Sequence, residues 1–154
     1  MRSKLWQKNV DVDAEVERYT VGRDREMDMY LAPYDVIGSL AHITMLQSIG
    51  LLDASELEVL TTALREIYVE IEAGKFAIAE HVEDVHSQVE LMLTQRLGDV
   101  GKKIHSGRSR NDQVLVDLKL MMRDRIERLV HLTERFSRTL VRVSERYRDI
   151  IIPG

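Results

Sequence analysis

The chain has 154 residues, 44% hydrophobic and 31% charged, with a formal net charge of −4. That length holds one domain or slightly more, and the acidic balance argues against a general binder of nucleic acid or of an anionic membrane. There is no Cys, which excludes disulfides and thiolate metal sites, and no run approaches the ~18 consecutive apolar residues of a membrane span.

Two Pro, eight Gly and 5% aromatic residues predict an all-α, mostly helical chain with an aliphatic core. Residues 1–20 are polar and mixed. Leu5 and Trp6 are their large apolar pair, and Asp11, Asp13, Glu15 and Glu17 read as the solvated face of a short helix. The N-terminus carries no apolar signal run, so a cytoplasmic protein is expected. From Asp24 to Ile49 a helical stripe runs through Ile37, Leu40, Ala41, Thr44, Met45 and Ile49. Pro33 fits a first-turn position or a kink, and Gly50 closes the helix. Asp28 lies in the polar lead-in, where a surface or capping carboxylate is expected.

Asp53 followed three later by Glu56 is a capping box. Leu57, Leu60, Leu64, Ile67 and Ile71 then form one stripe, which Gly74 ends. Phe76 and Ile78 predict a short extended connector. Glu83 and Asp84 open the next helix, where its dipole favours acids. Val85, Val89, Met92 or Leu93, and Leu97 mark its buried face, and Gly98 ends it. His81 and His86 are five apart, off a common helix face, so no metal pair is expected.

Gly98 and Gly101 precede a basic stretch from Lys102 to Gln113. After it, from Arg108 to Ile152, there is no Gly and no Pro. A loop therefore delivers Arg108, Ser109, Arg110 and Asn111 to the start of a long helix. Ser109, Asn111 and Asp112 are all good caps. Free N–H groups, the positive dipole end and a bidentate arginine together suit a carboxylate or phosphate. No residue of the stretch is an obvious general base, and His105 reads as structural. Along the helix, ten apolar steps from Leu115 to Ile150 average 3.5 residues, the period of nearly parallel packed helices. Val114, Met121, Val130 and Val141 widen the stripe to that of a bundle core. The expected organisation is a small helical domain over 1–107 and the first long helix of a bundle over 108–154.

The octet Ser106-Gly107-Arg108-Ser109-Arg110-Asn111-Asp112-Gln113 resembles the first conserved region of argininosuccinate lyases, in the fumarase/aspartase superfamily. Glu83-Asp84-Val85-His86 matches that family upstream at its spacing, as do Asp35-Val36-Ile37-Gly38-Ser39 and Gly50-Leu51-Leu52. Pro153-Gly154 resembles the start of its next segment. The resemblance implies a carbon–nitrogen lyase of arginine biosynthesis, which cleaves argininosuccinate to arginine and fumarate by β-elimination. It also implies a homotetramer when full length, with no cofactor and no metal.

By motif, Ser109, Arg110 and Asn111 would bind substrate, Arg110 as carboxylate clamp. Asp28 and His86 would line the site, and Arg108 would brace the loop. The family's threonine–histidine segment and its catalytic-serine loop are not in these 154 residues, so no catalytic residue is assigned and the portion alone is expected to be inactive. Around Thr20–Asp28 only Asp28 aligns with the family pattern, which leaves room for an N-acylated argininosuccinate as substrate. The competing reading is a non-catalytic helical assembly module.

Overall fold

The computed structural model describes residues 15, 16, 19 and 22–151. Leu5, Trp6, Asp11, Asp13, Glu17, Thr20, Val21 and Pro153-Gly154 lie outside the described residues. The described residues are all-α, with no strand. The elements are α1 (Asp24–Asp28), α2 (Ala32–Ser48), α3 (Ala54–Glu72), α4 (Val85–Leu97), α5 (Asp99–Lys102), a 3₁₀ turn (Lys103–His105) and α6 (Arg110–Tyr147). None of these helices is long and apolar enough to cross a membrane.

The stretch from Asp24 to Ile49 is two helices rather than one. Leu31 and its neighbours turn between them, and Pro33 sits in the first turn of α2. There its missing N–H leaves no hydrogen bond unmade. The expected stripe of α2 is corrected too. Its buried face is Ala32, Asp35, Val36, Ser39, Ile43 and Leu46, whereas Ile37 and Met45 are 42% and 40% exposed. The helix is apolar on two sides, and the side facing the domain is the one that also carries polar residues.

α3 begins as its sequence predicts. Asp53 Oδ1 accepts from the Glu56 amide at 2.8 Å, and the Glu56 carboxylate accepts from the Asp53 amide at 3.1 Å. Leu60, Ala63, Leu64 and Ile67 are its buried face. An irregular connector follows, pinned by buried Phe76. Asp84 caps α4 through the Ser87 amide at 2.8 Å, and Val85, Val89 and Leu93 enter the core.

Beyond Gly98 the expected loop is partly helical. Gly101 belongs to α5 and is pressed against α4. A Cβ there would lie 2.5 Å from the Leu93 carbonyl carbon and oxygen. Only glycine allows that approach, so a residue that reads as loop punctuation is a packing residue.

The chain divides into two compact units, Met1–Leu118 and Lys119–Gly154. The first extends past residue 107 because Gln113 and Asp117, in the opening turns of α6, are buried within it. In the second, the rest of α6 keeps its apolar stripe in solvent, with Met122, Ile126, Leu129, Phe136, Leu140 and Tyr147 all exposed.

Candidate functional site

The head of α6 is built by its own sequence. Ser109 stands just before the first helical residue. Its hydroxyl accepts from the Asp112 amide at 3.3 Å, and the Asp112 carboxylate in return accepts from the Ser109 amide and hydroxyl, each at 2.9 Å. This is a capping box with aspartate in the third helical position. The bonds from Ser109 hold the Asp112 carboxyl below its ordinary pKa. The first-turn amides of Arg110 and Asn111 have no intrahelical acceptor. Ser109 and Asn111 are exposed and Arg110 is half-exposed. The three residues therefore bring donors and positive charge to the head of α6, with the Asp112 carboxylate beside them.

The loop leading into this head is tied to two helices. Arg108 is half-buried and donates to Ser39 Oγ on α2 at 3.1 Å. Burial lowers its pKa, while Asp35, Asp117 and Glu90 favour its charge. His42 Nε2, one turn further along α2, donates to the Ser106 carbonyl at 2.9 Å. Arg110 reaches the start of α4. It donates to Ser87 Oγ at 2.7 Å and pairs with Asp84 at 3.0 Å and Glu83 at 3.4 Å.

Behind the head lies a buried polar cluster. His86 Nδ1 is 2.7 Å from Asp35 Oδ1 and 3.7 Å from Asp117 Oδ2. Gln113 Nε2 donates to Asp35 Oδ1 at 3.3 Å. His86 is 3% exposed, and Asp35 and Asp117 are each 1% exposed. Burial works against charge on His86, but the hydrogen bond to Asp35 and the charges of Asp35, Asp84 and Asp117 outweigh it, and its pKa is raised. Burial, then the charge of Asp35, pushes the Asp117 carboxyl up to about 7. Asp35 Oδ2, Asp117 Oδ2, Gln113 Oε1 and Arg108 Nε are buried without a hydrogen-bond partner among the described residues.

One ligand atom from each of Asp35, His86 and Asp117 falls within 4.8 Å of the others. This is the one group of three whose residue types suit a cation among the described residues. The short His86–Asp35 bond occupies Nδ1 of the imidazole, and Arg108 adds positive charge nearby.

The residues singled out from sequence thus fall in three places. Ser109, Arg110 and Asn111 share the head of α6. His86 lies in the buried cluster. Asp28 is half-buried, and its Oδ2 accepts from the Val85 amide at 3.2 Å, at the first turn of α4. Burial raises its pKa. Asp35, Ser39, His42, Ser87, Gln113 and Asp117 were not picked out as site residues from the sequence. A signal was present: Asp35, Ser39 and His42 recur at helical spacing, as do Gln113 and Asp117. Polar residues on a helix's buried face are hydrogen-bonded, so such a stripe marks a network.

A family model described as "Lyase" matches residues 8–154. The chain is similar over its whole length to curated proteins named argininosuccinate lyase. That of Bacteroides fragilis is 62% identical over 154 residues, covering all of this chain and 34% of the relative. That of Parabacteroides distasonis is 63% identical over the same span and covers 34% of its length. That of Methylococcus capsulatus is 44% identical over 156 positions, again with all of this chain and 33% of the relative. The chain therefore spans about a third of the length of the curated relatives it matches. The resemblance read from Ser106 to Gln113 holds along the chain, and with the match running from residue 8 through the loop, its anchors and the whole of α6, the chain belongs to the lyase family.

Proposed function

We propose that this chain is the N-terminal portion of an argininosuccinate lyase, a carbon–nitrogen lyase that cleaves argininosuccinate to arginine and fumarate. The observation that carries this reading is the match of the whole chain, at 62–63% identity, to proteins of that name. The geometry at the head of α6 supports it. β-Elimination requires removal of a proton beside a carboxylate, and the charge that builds up there needs fixed donors and positive charge. Arg110, with the amides of the first turn and the side chains of Ser109 and Asn111, would supply them. The base and the acid would come from regions beyond these residues.

In the intact enzyme the exposed apolar stripe from Met122 to Tyr147 would be covered by other helices of a homotetramer. The setting is cytoplasmic arginine biosynthesis. The test is fumarate release from argininosuccinate by the enzyme expressed with the coding sequence that flanks this region. Turnover by the wild type, and a loss of roughly a hundredfold or more in Arg110→Ala, are expected. A folded wild-type enzyme that does not release fumarate overturns the reading. The same assay with N-acylated argininosuccinate decides which form is the substrate.

A further inference from the structure

Ser39 and His42 stand three apart on α2, on one helix face, and take no part in the substrate scheme above. Both reach the loop that precedes the head of α6. Ser39 is fully buried, and its Oγ accepts from Arg108 at 3.1 Å. His42 Nε2 lies 2.9 Å from the Ser106 carbonyl. A carbonyl oxygen only accepts, so Nε2 carries the proton. Burial lowers the pKa of His42, the bond to the Ser106 carbonyl works against this, and Arg108 and His105 add to the lowering. The lowered pKa favours the neutral ring, and the carbonyl partner selects its Nε2–H tautomer.

Between the two attachment points lies Gly107, whose φ of +71° turns the chain sharply. Beyond them Arg110 is held on α4 by Ser87 and Asp84. The loop is thus stretched between two helices and tied on both sides. Ser109 and Asn111 lie near the α4 attachment and stay exposed. A loop held this way loses little further freedom when a ligand binds it.

We propose that His42 and Ser39 are positioning residues that fix the loop from Ser106 to Ser109, and with it the first turn of α6, for carboxylate binding. The inference rests on the lyase reading for its ligand, and on geometry alone for the fastening itself. His42 acts as a hydrogen-bond donor at one atom. Gln places an amide N–H at a similar reach, whereas Leu fills the space with no donor.

The experiment compares His42→Leu, His42→Gln and Ser39→Ala in the intact enzyme. In His42→Leu, KM for argininosuccinate rises about tenfold while kcat falls less than threefold, because a misplaced anion grip weakens ground-state and transition-state binding together. His42→Gln returns KM to within about threefold of the wild type. Ser39→Ala, which removes a small buried hydroxyl, raises KM in the same direction and serves if His42→Leu does not fold.

Amide hydrogen exchange of the peptide spanning Ser106–Gln113 is measured on the same proteins without substrate. It accelerates in His42→Leu and Ser39→Ala and not in His42→Gln. Unchanged exchange in both His42→Leu and Ser39→Ala, or a Gln variant as impaired as Leu, overturns the proposal. Because exchange needs no turnover, an enzyme inactive on argininosuccinate would sink the lyase reading and leave the fastening to be judged by exchange.

Discussion

His86 and Asp35 form a 2.7 Å hydrogen bond between two side chains almost wholly removed from water. One comes from the first turn of α4 and the other from α2. Gln113 and Asp117 bring α6 to the same pair. Three helices therefore meet on a polar knot in place of an apolar plug, and its protonation controls its stability.

The Asp117 carboxyl, at 3.8 in its ordinary state, keeps its proton to about 7 in the fold. Between those values the native state binds more protons than the unfolded chain, so stability falls as pH rises toward 7. His86 acts in the same direction. Its pKa is raised, so its contribution is complete below the ordinary imidazole value and is lost as pH rises through the folded value. Asp117→Asn removes the carboxylate's part of this slope. The variant should melt roughly 3–5 °C above the wild type at pH 8 and close to it at pH 5. A wild type whose melting temperature rises between pH 5 and pH 8 contradicts the assignment.

Asp35 is the acceptor for both His86 and Gln113. Asp35→Ala leaves an imidazole and an amide buried without their acceptor, and should cost about 3–5 kcal/mol. Asp35→Asn keeps the shape and one acceptor and should cost less than Asp35→Ala. Chemical denaturation of the intact enzyme measures both. Equal losses in the two variants would show that the site requires the carboxylate itself, and that keeping the shape and one acceptor contributes nothing.

Gly101→Ala would place a Cβ 2.5 Å from the backbone of Leu93 and 2.6 Å from the Thr94 amide. Backbone on both sides cannot give way as a side-chain tip would, so a loss of about 2 kcal/mol or more is expected. Equilibrium unfolding of this variant checks it. An unchanged midpoint would mean that α5 does not lie against α4 as described.

The cap at Ser109 has its own pH signature. The Asp112 carboxyl is held below its ordinary range by Ser109. The bond is intact above the ordinary carboxylate value and is lost as pH falls through the lower folded value. Exchange of the Ser109 amide, corrected for its intrinsic pH dependence, should rise in that acid window. Asp112→Asn should abolish the step, and a step that survives the substitution would assign it to another group.

The elements legible in the sequence are those whose signals are local. Asp53 and Glu56 cap α3 through side chains three residues apart, and the spacing from Leu115 onward sets α6 whether or not anything covers it. The loop bearing Ser109, Arg110 and Asn111 was legible for the same reason, since charge, cap and glycine lie together. α2 was misjudged because both its faces carry apolar residues, and periodicity cannot say which one meets the domain. Gly101 was taken for a loop because glycine's composition signal is the same whether it supplies a turn or a close approach. Asp35 and Asp117 went unmarked as partners because they are 82 positions apart, and only the packing of α2, α4 and α6 joins them.

Arg110 enters any encounter already engaged. Its guanidinium holds Ser87, Asp84 and Glu83, so an arriving anion takes part in an exchange and does not fill an unoccupied grip. If the head of α6 takes the substrate as proposed, affinity there would be a difference between two sets of bonds, and a lone weak carboxylate would gain little by the trade. On the proposed reading, a ligand with two carboxylates, able to engage the first-turn amides and the arginine together, would gain on both sides. Discrimination between such a dicarboxylate and a small monoanion would then be set by the acids that hold the arginine as much as by the arginine itself.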